Sequence, residues 1–419
     1  MIDALIDAPA GGCDPSKSGS LAWAGSQKRL LTGYPPATGY LNFIPSVLLK
    51  VLHMLQMPHP IVPHTQETTC VTLAGIGTAL PPHKLPQAMA QDYARALLGD
   101  RYTHFERLAP AFENAGVDMR HLVQPVAWYE QDHGWAERGA AYMETAPRMF
   151  IDAAQAALTD AGCSAAEVDV IVTVSSTGIA TPTLEAQAFK AMGFRQDVQR
   201  VPLFGLGCAG GVTGLSLARR LAALRPDQTV LMVAVEACSL SFRTDRLQKA
   251  DIIATVLFGD GAAAAVLKSG TSQDAGAVTL GDGQEHIWPD TLGIMGWDVD
   301  ENGLGVVFDR SIPNFVHDNF RAALLAMLDR ANLPLKDIDR FVCHPGGAKV
   351  LGAIESTMNL PDGSLDAERD TLRAAGNMSA PTALFVLDRV LKSGQTGQLA
   401  LCALGPGFTA ALLPIKVAS

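Results

Sequence analysis

Two stretches decide the fold: LTDAGCSAAEVDVIV, Leu158–Val172, and LDRANLPLKDIDRFV, Leu328–Val342. They align without a gap, with Leu158 on Leu328, Ala161 on Ala331, Glu167 on Asp337, Val168 on Ile338 and Asp169 on Asp339. Outward from them the next block repeats in the same order. GCAGGVTGLSLARRL from Gly207 lies over GNMSAPTALFVLDRV from Gly376, matching Thr213/Thr382, Leu215/Leu384 and Arg220/Arg389. A strand follows in each copy, TVLMVAV and QLALCAL. A turn-centred hairpin closes both, LFGDGAAAAVL around Asp260 and LGPGFTAALLP around Pro406. Each match alone is weak, but blocks kept in one order define an internal repeat, and a repeat sets the architecture. Apolar strand runs at Val71–Gly77, Val168–Ser176, Thr229–Ala237 and Arg340–Cys343 alternate with helical stretches at Pro147–Ala161, Val212–Leu224 and Ala380–Leu391. Strands of this texture between helices belong to a layered α/β fold with a covered sheet. The expectation is two similar halves packed as one pseudo-symmetric molecule.

Composition narrows the function. The chain has 419 residues, 48% hydrophobic and 18% charged, which describes a well-filled core and excludes disordered, fibrous and coiled-coil classes. Thirty-two basic against 42 acidic residues give a net charge of −10. That leaves no domain-scale surface for nucleic acid, so an anionic substrate needs a local basic patch. The 7 cysteines are scattered and form no Cys-x-x-Cys pair, which argues against a disulfide framework or a cysteine zinc site. Free thiols in a reducing cytoplasm are expected. Residues 1–40 lack a sustained period and read as a loose extension. Leu41–Met57 is apolar but interrupted by Pro45, Lys50 and His53, short for a spanning helix. It reads as a poorly packed appendage, or as an interfacial helix that touches lipid. The expected organisation is an extension over 1–68, a first half over 69–285 and a second half over 286–419. Deleting residues 1–68 is expected to leave a folded protein. A truncated chain that is insoluble, or melts many degrees lower, would show instead that the segment packs on the core.

The repeat also singles out residues. Cys208 and Asn377 occupy equivalent positions, each after a glycine at the start of a helix, and a pseudo-twofold axis brings those helix ends together. At a helix N-terminus the unpaired N–H groups and the dipole favour a thiolate, so a lowered pKa is expected for Cys208. The neighbouring glycines would let a substrate approach the backbone and the Cys amide donate to an oxyanion. His344 ends the strand RFVC, is held extended by Pro345, and is left uncrowded by Gly346 and Gly347. Cys, His and Asn at the ends of repeat-related elements supply a nucleophile, a base and an amide donor.

From Val71 onward the chain resembles the type III polyketide synthases, the chalcone-synthase-like branch of the thiolase superfamily. Gly-Cys-Ala-Gly-Gly around Cys208 resembles the family's nucleophile turn, His344-Pro-Gly-Gly its histidine loop and Gly376-Asn-Met-Ser379 its asparagine turn. Gly405-Pro406-Gly407 resembles the loop that shapes the cyclisation cavity, and Leu257-Phe-Gly-Asp-Gly-Ala262 is similar to another family motif. The resemblance implies the five-layered αβαβα thiolase fold, a cytoplasmic homodimer, acyl-CoA and malonyl-CoA as substrates, and no metal or bound cofactor. It implies an acyl thioester on Cys208 paired with His344 as imidazolium–thiolate, and an enolate held by His344 and Asn377. It places Phe258 at the mouth between CoA tunnel and cavity, and Val306 where a second family phenylalanine stands. Thr177, Thr181, Cys238, Ser241 and Ser379 match cavity-lining positions. Arg107 matches a residue that contacts the CoA phosphates, while His104 replaces its usual lysine neighbour, so the patch looks thin. A short residue at Val306 suggests a medium-to-long fatty acyl starter and alkylpyrone or alkylresorcinol products.

Other readings share parts of this pattern. An initiating β-ketoacyl-ACP synthase also uses Cys, His and Asn but normally carries His-Gln-Ala-Asn where this chain has His-Pro-Gly-Gly. A degradative thiolase needs a second catalytic cysteine, and Cys402, within a strand, reads as buried. A cysteine hydrolase does not account for the repeat. A non-catalytic acyl-binding homologue does not account for an intact triad.

Overall fold

The computed structural model describes residues 70–102, 104–246, 248–270 and 277–419. The expectations for the extension over 1–68 and for Leu41–Met57 lie outside them. The first half carries β1 (Cys70–Ala79), β2 (Val170–Val174), β3 (Gln199–Leu203), β4 (Thr229–Ala237) and β5 (Asp260–Gly270). The second carries β6 (Val278–Leu280), β7 (Gln284–Ile287), β8 (Met295–Asp300), β9 (Gly303–Phe308), β10 (Arg340–Cys343), β11 (Gly397–Gly405) and β12 (Thr409–Val417). Hydrogen bonds run in the order β10-β11-β12-β6-β1-β5-β4-β2-β3, with β7 added on β12. The two copies pair alike: β2 with β4 and β10 with β11 are parallel, β4 with β5 and β11 with β12 antiparallel. The halves join at β1 and β6, through Thr72 opposite Thr279 and Leu73 opposite Val278.

Side-chain alternation along the strands builds the layers. On β4, Val230, Met232 and Ala234 face a central core with the helices Gly210–Ala222 and Ala380–Lys392. Leu231, Val233 and Val235 face the helix Trp135–Asp160. On β11, Leu399, Leu401 and Ala403 meet the same central core, while Ala400, Cys402 and Leu404 pack under the helices Ile312–Arg330 and Ala348–Met358. Strands buried on both faces, with one helix pair shared between them, make five layers, αβαβα.

Three boundaries differ from the sequence reading. The helix expected from Pro147 begins at Trp135 and carries Pro147 in its interior. The burial of Ala141, Tyr142, Ala146, Met149 and Phe150 along it offsets the hydrogen bond proline removes. The first hairpin is not one: β4 and β5 pair antiparallel, but Cys238–Gly259 and its helix Lys249–Leu257 intervene, whereas β11 and β12 turn directly. A half boundary after residue 285 falls inside β7, which pairs with β12, so the second half begins ahead of it.

The central helices cross where the repeat predicts. A Cβ at Gly211 would run into the backbone oxygen of Ala380, its repeat equivalent, and lie 2.9 Å from Leu384 Cδ1. A Cβ at Gly207, φ +48°, would meet Pro406 Cγ at 2.6 Å. These glycines therefore serve helix crossing and loop packing, not substrate approach. Gly211→Ala is expected to cost about 1–3 kcal/mol, since no flexible side chain can yield to the added methyl. Denaturant unfolding checks it, and an unchanged midpoint would show that the crossing relaxes freely.

Candidate active site

Cys208 lies in the 3-10 turn Gly207–Ala209 that leads into the helix Gly210–Ala222, and is buried. Its repeat partner Asn377 precedes the helix Ala380–Lys392, and the pseudo-axis brings Cys208 Sγ to 4.0 Å from Asn377 Oδ1. The amide is oriented from both ends: Ser379 N–H donates to Oδ1 at 2.8 Å and Nδ2 donates to Gly346 O at 3.3 Å. Ser379 holds a left-handed φ of +59°, and beside Cys208 it acts to lower the thiol pKa, against the larger effect of burial. His344 follows β10 directly. Its N–H donates to Cys402 O at 2.8 Å and its carbonyl accepts from Gly346 N at 3.0 Å, which fixes the backbone. Both ring nitrogens are buried without a partner among the described residues. Ring clearance does not require Gly346, where a Cβ would make only ordinary contact at 3.8 Å.

The three side chains line one cavity of about 30 Å3, with Phe308, Cys343 and Cys402 in its wall. Through Phe308, Ile312, Gly346 and Val350 it adjoins a cleft of about 780 Å3 on which Arg107, Lys249, Arg310 and Lys349 stand. The basic patch is thus fuller than Arg107 and His104 suggested. Sequence reasoning missed Lys249, Arg310 and Lys349, because scattered exposed cations read as solvated surface until the fold gathers them.

Burial dominates the electrostatics. It pushes the Cys208 thiol up to about 11 and holds the His344 imidazolium down to about 4. Desolvation thus favours the neutral form of each side chain, against the lowered thiol pKa expected from the helix end. A neutral imidazole at His344 can accept a proton at one ring nitrogen and donate from the other.

The remaining candidates separate. Thr177 is tied to Glu236, its hydroxyl donating to Oε2 at 2.7 Å and accepting from Ala237 N at 2.8 Å. Glu236, fully buried and raised to about 8, was passed over as part of a strand. A single carboxylate in the apolar run TVLMVAVEA was the available signal. Cys238, Ser241 and Phe258 line a second apolar cavity of about 80 Å3, walled by Leu85, Ala90, Ala94 and Leu97 and apart from Cys208. Phe258 is bridged to Asn377 through the backbone, and its carbonyl accepts from buried Arg120 at 3.3 Å. The Phe258 ring centroid lies 6.4 Å from that of Phe308, and each ring lines one of the two cavities. Val306 lines neither. It is buried and pairs across the strands with Trp297, whose ring centroid is 6.2 Å from that of Phe258. Thr181 is exposed, because the loop after β2 runs outward. Gly405 and Pro406 pack on the nucleophile turn, whereas Gly407 lies toward Ile287 and Leu292 and its O accepts from Thr291 Oγ1 at 3.0 Å. Among the described residues no three His, Cys, Asp or Glu side chains are grouped to hold a metal, and no helix is long and apolar enough to cross a membrane.

The family models for chalcone and stilbene synthases match this chain, the N-terminal domain over residues 63–271 and the C-terminal domain over 280–416. A 1,3,6,8-tetrahydroxynaphthalene synthase of Streptomyces peucetius subsp. caesius is 36% identical over 360 residues, covering 84% of this chain and 95% of the relative. A putative chalcone synthase of Bacillus subtilis is 33% identical over 355 residues, 81% of this chain and 97% of that one. The crystal structure of 1,3,6,8-tetrahydroxynaphthalene synthase from Streptomyces coelicolor superposes with a TM-score of 0.78 at 27% identity, covering 83% of this chain and 99% of that one.

Proposed function

The chain belongs to the chalcone and stilbene synthases, the type III polyketide synthases, and from that premise we propose that it loads an acyl-CoA on Cys208 and extends it with malonyl-CoA. The carrying observation is the convergence of Cys208, His344 and Asn377 on one cavity that adjoins a basic cleft. In loading, His344 takes the thiol proton, Sγ attacks the acyl-CoA carbonyl, and the CoA thiolate leaves with that proton. The neutral imidazole N–H and Asn377 Nδ2 then donate to the malonyl thioester carbonyl. Carbon dioxide leaves, and its bonding electrons become the enolate these donors stabilise. The enolate carbon attacks the Cys208 thioester carbonyl, the Cys208 thiolate leaves, and the lengthened chain, now a CoA thioester, is transferred back to Cys208 with release of CoA for the next round. The scheme requires no metal or bound cofactor. Arg107, Lys249, Arg310 and Lys349 would meet the CoA phosphates. Two copies would pair beside the edge strand β3, near which Ile179 and Phe204 stand 68% and 61% exposed.

For the starter we propose a medium-to-long fatty acyl-CoA, with alkylpyrones or alkylresorcinols as products. The apolar cavity at Cys238, Ser241 and Phe258 supports this, since each buried methylene adds about 0.8 kcal/mol of binding. The similarity to a 1,3,6,8-tetrahydroxynaphthalene synthase favours a second reading, a chain built without a fatty starter. Competition of lauroyl-CoA against acetyl- and coumaroyl-CoA, with labelled malonyl-CoA and product mass spectrometry, separates them. Lauroyl products should dominate, and Leu97→Trp should shift preference toward shorter starters. Labelled product from malonyl-CoA alone, unaffected by lauroyl-CoA, would sink the fatty-starter reading.

A further inference from the structure

Two cysteines in the wall of the catalytic cavity have no part in that scheme. Cys343 ends β10, Cys402 lies in β11, and the parallel register places them directly opposite one another. Neighbouring strands run about 4.8 Å apart, within the Cα separation over which two cysteine sulfurs can be bridged. Both side chains face the same outer core and both line the cavity that holds Cys208, so a small molecule in that cavity meets both. The other described thiols stand elsewhere: Cys70 and Cys163 are half-buried, and Cys238 lines the second cavity.

We propose that Cys343 and Cys402 form a dithiol site for trivalent arsenicals and related electrophiles that bond two sulfurs at once. With an organoarsenic oxide, two arsenic–sulfur bonds form and the arsenic–oxygen double bond breaks. Both thiol protons leave with the oxygen as water, and arsenic stays trivalent, so no oxidant is needed. Burial and the neighbouring thiol keep Cys343 protonated, which slows reagents that require a thiolate but not a condensation that consumes the thiol protons. The site reaches the catalytic machinery through the backbone. Cys343 immediately precedes His344, and His344 N–H donates to Cys402 O, so a bridge between the sulfurs clamps the peptide that carries the base. It also fills part of the cavity from which His344 and Asn377 act.

The test uses the full chain, phenylarsine oxide and excess glutathione, which strips arsenic from single thiols but not from a chelating pair. Intact mass should show one phenylarsenic group on the wild type, removed by 2,3-dimercaptopropanol, and peptide mapping should place it across Cys343 and Cys402. Cys402→Ala and Cys343→Ala should each bind about a hundredfold more weakly, the second sulfur acting at high effective concentration. Cys208→Ala and Cys238→Ser should bind as the wild type does. The wild-type map keeps the test decisive even where a variant fails to fold. No uptake by the wild type, retention by Cys402→Ala, loss in Cys208→Ala, or a map onto Cys208 and Cys238 overturns the proposal. None of these outcomes bears on polyketide synthesis, which the starter competition tests separately.

Discussion

Cys208→Ala is expected to lose product and acyl-enzyme together, at least about four orders of magnitude in turnover, since the covalent step has no second nucleophile to use. Cys343 and Cys402 share the cavity, but they sit in strands with burial-shielded thiols, away from a helix start. Cys238 faces the other cavity. Intact mass after incubation with acyl-CoA should show one adduct on the wild type and none on the variant. An acyl group mapped to Cys238 or Cys343, with Cys208 unmodified, would overturn the assignment. Decarboxylation of malonyl-CoA should survive better than condensation, because the proposed enolate donors, His344 and Asn377, are kept.

Removing those donors gives the second large effect. His344→Ala and Asn377→Ala are each expected to slow malonyl decarboxylation by about 10²–10³-fold, or about 2.7–4 kcal/mol, as for one lost oxyanion donor. A variant decarboxylating at the wild-type rate would have no donor role. His344→Ala carries a further signature. Burial first, and then the nearby Glu236 carboxylate, push the Cys208 thiol up to about 11, and the variant has lost the proposed base, so thiolate must come from free ionisation. Its iodoacetamide rate should keep rising beyond pH 10 and fall below the wild-type rate at pH 7. A plateau below pH 8 in the variant would show that another group ionises the thiol.

The repeat of Leu158–Val172 in Leu328–Val342 carried the architecture because each copy buries its leading leucine, exposes Glu167 or Asp337, and runs from a helix end into a strand of its own half. Strands β4 and β10 fall where the apolar runs place them, since a strand covered on both faces leaves a continuous signal. Cys208 and Asn377 were legible as a pair for the same reason: equivalent positions beside a pseudo-axis must approach each other, and they do, at 4.0 Å. Pro147 misled because its local cost is offset by packing that no window of sequence contains.

What the sequence determined by itself is what short-range patterning and the repeat encode: two halves, their layering, and Cys208, His344 and Asn377 at the ends of matched elements. Tertiary structure alone decided the rest. Lys249, Arg310 and Lys349 gather with Arg107 only when four separate segments meet at the cleft. Trp297 and Phe308 stand beside Phe258, and Trp297 pairs with Val306, through a strand register that no local spacing shows. Burial pushes the central thiol up and the imidazole down, and that desolvation depends on everything packed around them. A helix start can be read from Gly207-Cys208-Ala209, but the depth at which that start is buried cannot, and burial outweighs the local dipole.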